Sequence, residues 1–202
     1  MYKGINRISL ILLIIISFSD KLTADSGENK QDTVEQKNNP SEAVEGFGDW
    51  SISKELFRYI RHLLPDGKTI LELGSGWATG ELAKYYTLCS IEHNLSWVGK
   101  YSSTYIHAPL KQGWYDVEIL KKELPAHYDL ILVDGPPGLM GPLGSGRIGF
   151  LYNLSLFNTN VPIIFDDVDR PAEYCIMNIV AHTLKKPFQI FEGSGKKFAV
   201  IS

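Results

Sequence analysis

The sequence predicts an α/β sandwich, a mostly parallel sheet with helices on both of its faces. Three observations predict it. Short apolar runs alternate with longer amphipathic stretches from Trp50 to the C-terminus, the pattern of strand–helix–strand units. Two of the runs, Ile131-Leu132-Val133 and Ile163-Ile164-Phe165, are uninterrupted, as strands covered on both faces require. A glycine pair, Gly74-Ser75-Gly76, follows the first run, where a strand would turn tightly into a helix.

Each element follows from its own pattern. Trp50 to Leu64 carries apolar residues at Ile52, Leu56, Ile60, Leu63 and Leu64, a helical spacing stopped by Pro65-Asp66-Gly67. Thr69 to Leu73 is the first strand, Glu81 to Tyr86 a helix and Cys89 to Ile91 the second strand. Tyr105 to His107 is a weaker third strand and Asp129 to Val133 a strong fourth. Leu151 to Phe157 reads as a helix, Val161 to Phe165 as the fifth strand, and Pro171 to Leu184 as a helix with proline in its first turn. Phe188 to Phe191 and Lys197 to Ile201 close the chain around Gly193-Ser194-Gly195. That connection is too short for a crossover, so the last pair is antiparallel. No internal repeat is present.

Composition narrows the function. Of 202 residues, 44% are hydrophobic and 21% charged, an ordinary globular balance. A net charge of −3 gives no basic field for nucleic acid. Two cysteines make neither a disulfide framework nor a thiolate zinc site. The residues are unevenly spread. Lys3 and Arg7 precede the apolar stretch Ile8 to Phe18, which reads as a secretory signal or an uncleaved N-terminal membrane anchor over residues 1–24. Eleven residues of helix reach only about 16 Å against about 30 Å of hydrocarbon core. Residues 25–48 read as a disordered polar linker, and residues 49–202 as the folded domain. This organisation predicts the secretory pathway or export; as an anchor, the segment also suits a domain on the cytosolic face of a membrane.

In open α/β sheets ligands bind beyond the carboxyl ends of the strands, so those ends are the candidate sites. Glu72 with Gly74, Ser75 and Gly76 forms a loop for a ligand with a cationic or amino-acid end. A dinucleotide loop would have glycine or alanine where Thr79 stands. Glu92 follows Gly74 by eighteen residues, where an acid accepts hydrogen bonds from ribose hydroxyls. Asp134 ends the fourth strand. After it, Gly135 to Gly146 holds five glycines and three prolines, a length and composition of functional loops. Arg147, just beyond, reads as a surface residue, with contact to an anionic substrate group as the other reading. Asp166 and Asp167 end the fifth strand on the same rim as Asp134. Three such carboxylates repel unless they share a cation or a proton, and hard oxygen ligands suit magnesium, calcium or manganese. The competing readings are simple solvation and helix capping by Asp169. His107 is a candidate general base, His93 a weaker one, and each also reads as structural. Cys89 and Cys175 read as buried and inert. Asn94-Leu95-Ser96 and Asn153-Leu154-Ser155 match the glycosylation sequon.

Glu72-Leu73-Gly74-Ser75-Gly76, followed by Glu92 and Asp134, resembles the cofactor site of class I S-adenosylmethionine-dependent methyltransferases, over residues 49–202. The resemblance implies a three-layer Rossmann-like sandwich with a mostly parallel seven-stranded sheet and an antiparallel C-terminal strand. It implies S-adenosyl-L-methionine as cofactor, its methionine part at the glycine loop, its ribose at Glu92, and His93 and His107 flanking adenine. Asp134, Asp166 and Asp167 resemble the set of metal-dependent O-methyltransferases, which implies magnesium. Two departures stand out: Ala78 replaces a common third glycine, and Gly135-Pro136-Pro137-Gly138 differs from catechol-type loops. The expected activity is methylation of a hydroxyl on a sugar or small molecule, with Asp134 or His107 as base. The rivals are a nicotinamide-dependent oxidoreductase and a non-catalytic binding protein.

Overall fold

The structure, a computed structural model, describes residues 51–137 and 146–202. The expected signal or anchor, the linker and the middle of the glycine-proline loop lie outside the described residues. Among the described residues no helix is long and apolar enough to cross a membrane.

Helix α1, Lys54–Leu63, starts at Ser53, whose side chain accepts the Leu56 N–H at 3.1 Å, an ordinary N-cap. Strand β1 is Thr69–Leu73, helix α2 Trp77–Leu82, β2 Thr87–Glu92 and β3 Thr104–His107. A hairpin of β4, Leu110–Lys111, and β5, Trp114–Tyr115, follows, then helix α3, Val117–Glu123. Strand β6 is Leu130–Val133, helix α4 Ile148–Tyr152, β7 Ile163–Phe165 and helix α5 Pro171–Leu184. The chain closes with β8, Phe188–Glu192, and β9, Lys197–Ile201.

Seven strands form one sheet in the order β3-β2-β1-β6-β7-β9-β8. All neighbours are parallel except at β9, which runs antiparallel to both β7 and β8. The mostly parallel sheet with an antiparallel C-terminal strand is therefore as expected. Side chains alternate between two cores, as the pleat dictates. Ile70, Leu130, Leu132, Ile164 and Val200 face one core, with Leu56 and Ile60 of α1. Leu71, Leu73, Ile131, Val133, Ile163 and Phe165 face the other, with Ile176, Met177 and Val180 of α5. Each large aliphatic side chain so buried contributes about 1.5–3 kcal/mol.

Some elements differ from the sequence expectation. The helix after the glycine loop starts four residues earlier than Glu81, because Thr79 Oγ1 accepts the Gly76 N–H at 2.9 Å and closes the first turn there. It ends before Tyr86, whose hydroxyl is held by the carbonyls of Ile60 and Leu64 at 3.2 and 2.9 Å. The helix expected from Leu151 starts at Ile148 and gives way to a 3₁₀ turn, Leu154–Leu156. The β4–β5 hairpin and α3 were not expected.

Gly149 of α4 lies under the indole of Trp114, and a Cβ there would stand 2.1 Å from the ring. The Gly149→Ala variant is expected to lose about 1–3 kcal/mol through overpacking. Denaturant unfolding of both proteins checks it; equal midpoints would contradict the close approach.

Candidate functional site

The sheet order reverses between β1 and β6. One side of β1 leads to β2 and β3 and the other to β6 and β7, so a crevice opens at the carboxyl ends of β1 and β6. Backbone lines it. Gly74 has φ +92°, and a Cβ there would meet the Gly135 backbone at 3.2 Å. The Asp134 N–H donates to the Leu73 carbonyl at 3.1 Å and fixes the spacing.

Glu92 ties the glycine loop to the end of β2. One oxygen accepts the Ser75 N–H at 2.9 Å and the other the Asn94 N–H at 2.7 Å. His93 Nδ1 lies 2.9 Å from that second oxygen. A carboxylate offers about four acceptor positions. The His93 contact is not a hydrogen bond, so two backbone partners leave two acceptor positions, as many as the two ribose hydroxyls expected from sequence would use.

Glu72 differs more from its expected place. It is 3% exposed, so it braces the loop from below instead of facing a ligand. Thr79 donates to both its oxygens at 3.0 and 2.9 Å, and Ser90 donates at 2.6 Å. Burial pushes its carboxyl up to about 7, against the pull of the Ser90 and Thr79 hydroxyls. Ser75 completes the loop through a 3.0 Å contact with the Tyr105 hydroxyl.

The three aspartates do come together, with carboxylate oxygens within 4.8 Å of one another. They do not come alone. Arg147, expected at the surface, is 2% exposed and sits among them. Its Nη1 donates to the Asp166 carbonyl at 2.7 Å. Its Nη2 lies 2.8 Å from Asp167 Oδ2 and 3.3 Å from Asp134 Oδ1, and donates to the Asp134 carbonyl at 3.1 Å. Lys196 Nζ lies 2.6 Å from Asp166 Oδ2 and 3.3 Å from Asp167 Oδ1. Topology puts that lysine there: β9 runs antiparallel, so it starts on the rim where β7 ends.

These cations decide the fit of a metal. The spacing of the carboxylates suits a divalent ion. Their charge does not, since each carboxylate already has an internal cation partner and Arg170 adds a third cation 3.1 Å from Asp167. With Arg147 and Lys196 in place the set does not fit magnesium.

Asp134 faces the crevice, its side chain 25% exposed. Burial, and then the Asp166 charge, raise its carboxyl well above the usual carboxylate range, against Arg147. Asp167 behaves oppositely: burial would raise it, but Arg147, Lys196 and Arg170 outweigh burial and hold it low. His107 is not brought to the aspartates. Three strand steps of about 4.8 Å separate β3 from β6, about 14 Å, and its Nε2 contacts the His93 carbonyl at 3.2 Å. The two histidines thus share the β2–β3 side of the crevice.

Cys89 is buried in β2 and Cys175 half-buried on α5, and burial pushes the Cys89 thiol up to about 11, a poor nucleophile. Arg147, Lys196 and Tyr115, which lines the crevice floor, were missed as site residues. No local pattern marks the lysine or the tyrosine.

The sequence matches no protein-family model and no curated protein. Solved structures match the fold. A methyltransferase from Pyrococcus furiosus aligns over 98% of this chain and 98% of its own, at 12% identity and a TM-score of 0.53. Precorrin 8w decarboxylase from Methanobacterium thermoautotrophicum aligns over 80% of this chain and 94% of its own, at 15% identity and a TM-score of 0.50. The chain therefore has the Rossmann-like fold of class I methyltransferases.

The state of Glu72 gives a pH dependence. Its folded value of about 7 lies above the ordinary value of 4.5, so the folded state binds the proton more tightly. The stabilisation is complete below pH 4.5 and is lost as pH rises through 7. Wild type is expected to lose stability across that window, and Glu72→Gln to lose much less. Urea unfolding at pH 5 and pH 8 tests this; parallel losses in the two proteins would contradict it.

Proposed function

We propose that the chain is an S-adenosylmethionine-dependent methyltransferase acting on a hydroxyl of a sugar or small molecule. One observation carries the proposal: at the carboxyl ends of β1 and β6 the backbones of Gly74 and Gly135 meet without side chains, with Glu92 at one side and Asp134 at the other. The residues fit the donor. The bare glycine backbone lets its methionine part approach closely, the two remaining acceptor positions of Glu92 suit ribose hydroxyls, and His93 and His107 border the adenine side. Thr79, fully buried and bonded to Glu72, fills the position where a dinucleotide loop would have a small residue, which disfavours the nicotinamide reading.

S-adenosyl-L-methionine supplies a sulfonium-bound methyl group. The chain's own residues supply alignment and a proton acceptor. Alignment is worth about 7–11 kcal/mol when the reacting atoms are held in line, and the fixed spacing of β1 and β6 serves it. The carbon–sulfur bond breaks as the oxygen–carbon bond forms, and the hydroxyl proton passes to the Asp134 carboxylate. In its ionised form a carboxyl of raised pKa is a stronger base than an ordinary one. Asp166, Asp167, Arg147 and Lys196 hold Asp134 in place as an ion-paired cluster, and no step passes through a metal.

Two predictions follow from these roles. Calorimetry with S-adenosylhomocysteine is expected to show binding to wild type, weakened about tenfold or more in Glu92→Ala, as loss of a charge-assisted hydrogen bond implies; equal affinities would remove Glu92 from the donor site. Transfer of labelled methyl to hydroxylated acceptors is expected to fall about 10²–10⁴-fold in Asp134→Asn, with homocysteine-product binding retained, and to be unchanged by EDTA. Loss of activity in EDTA, restored by magnesium, would return the aspartates to a metal role.

A further inference from the structure

A cavity of about 780 Å³ lies under the β4–β5 hairpin, walled by Lys111, Trp114, Tyr115, Ile148, Tyr152 and Asn153 among others. Its volume is that of sites for small organic ligands. It neighbours the crevice. Tyr115 lines the cavity, and its hydroxyl would stand 2.7 Å from a Cβ placed on Gly135, the residue after Asp134. The same hydroxyl is buried, in a residue 1% exposed, and has no hydrogen-bond partner. Trp114, the next wall residue, also carries a buried ring nitrogen without a partner. Native proteins rarely leave buried donors unpaired, and two on adjacent residues beside a cavity point to a ligand that supplies oxygens. Burial, and then the charge of Glu92, push the Tyr115 hydroxyl far above its usual range, so it stays a donor and does not compete as a base.

The lining also says what the ligand is not. Lys111 is paired with Asp116 at 2.7 Å, and Glu118 with Lys121 at 2.7 Å. Each charge on the wall is thus ion-paired, Lys111 within the wall and Glu118 with a lysine beyond it, and no unpaired cation faces an anionic ligand. The remaining wall combines aromatic and aliphatic side chains with glycine backbone and the neutral amides of Gln112 and Asn153. Tyr152 stands at the mouth, 52% exposed. Aromatic faces with polar tips suit a ring that is apolar on its faces and hydroxylated at its edge.

We propose that this cavity is the acceptor site, that its ligand is a neutral sugar, and that Tyr115 donates a hydrogen bond to a ligand oxygen beside the reacting hydroxyl. The proposal rests on the methyltransferase reading and adds the acceptor class and the residues that select it. Neither Trp114 nor Tyr115 belongs to the donor loop, so the two readings fail separately.

Saturation-transfer NMR on the full chain tests it, with methyl glucoside, methyl galactoside and methyl xyloside as neutral probes. Phenol and glucose 1-phosphate serve as the single-oxygen and charged comparisons. Expected are transfer to at least one glycoside, about tenfold weaker binding of that glycoside in Tyr115→Phe, the loss expected of one buried hydrogen bond, and weaker binding in Tyr152→Ala. S-adenosylhomocysteine affinity by calorimetry is expected to be unchanged in Tyr152→Ala, which stands away from the donor crevice. Because Tyr152 is exposed, Tyr152→Ala keeps the test open should Tyr115→Phe lower stability. No glycoside binding to wild type, tighter binding of phenol or glucose 1-phosphate, or glycoside binding indifferent to both variants would overturn the acceptor assignment. Failure of wild type to bind S-adenosylhomocysteine would instead overturn the donor reading, while the glycoside result would still decide the cavity.

Discussion

The rim of this sheet depends on one guanidinium. Parallel strands that end together present carbonyl groups and, here, three aspartates in a small volume. Arg147 answers both problems at once. One nitrogen of its planar fork holds the Asp166 carbonyl, the other the Asp134 carbonyl and the Asp167 carboxylate, and Nε lies 4.0 Å from Glu173. The fork therefore clamps the end of β6 to the end of β7. A buried charge of this kind is costly unless paired, and removing one partner commonly costs about 3–5 kcal/mol because the rest is left unmatched. The position of Arg147 at the close of the glycine-proline connection means that the same contact also anchors where that connection returns to the fold.

The opposite side of the crevice is held by carboxylates instead. Glu92 gathers backbone N–H groups from two loops, and Glu72 gathers hydroxyls from Thr79 and Ser90. One acid thus sets the distance between the β1 and β2 loops, and the other supports the first turn of α2 from beneath. Neither needs to move for a ligand to enter. The glycine loop can be open to a ligand because its own hydrogen bonds are directed down into the protein.

Much of this was legible in the sequence. The uninterrupted runs of β6 and β7, the glycine pair and the acids at strand ends placed the crevice and brought Asp134, Asp166 and Asp167 to one rim. What was not legible has physical reasons. Two-residue strands carry no period, so the β4–β5 hairpin left only its Gln112-Gly113 turn, both residues at positive φ, as a signal. Helix α3 did carry signals: Asp116 as N-cap, Glu118 in the first turn and Lys121 and Lys122 in the last. Arg147 was read as exposed because its partners lie thirteen or more residues away and nothing local reveals them. Lys196 reaches the rim only because β9 is inserted antiparallel beside β7, a consequence of strand order and not of composition.

The ion cluster also sets Asp134 and Asp167 apart. Both sit in the same acidic group and both contact Arg147. Asp167 is enclosed by Arg147, Lys196 and Arg170, which hold it ionised. Asp134 has the longer contact to Arg147, lies beside the Asp166 charge, and is the one turned toward the crevice. The cations are therefore spent unequally, and the inequality divides two chemically identical groups into one held low by its cations and one whose carboxyl is raised. Environments that push neighbouring carboxyls apart are how acid–base roles are assigned in general. Here the division follows from which strand each aspartate ends, and so from the sheet order itself.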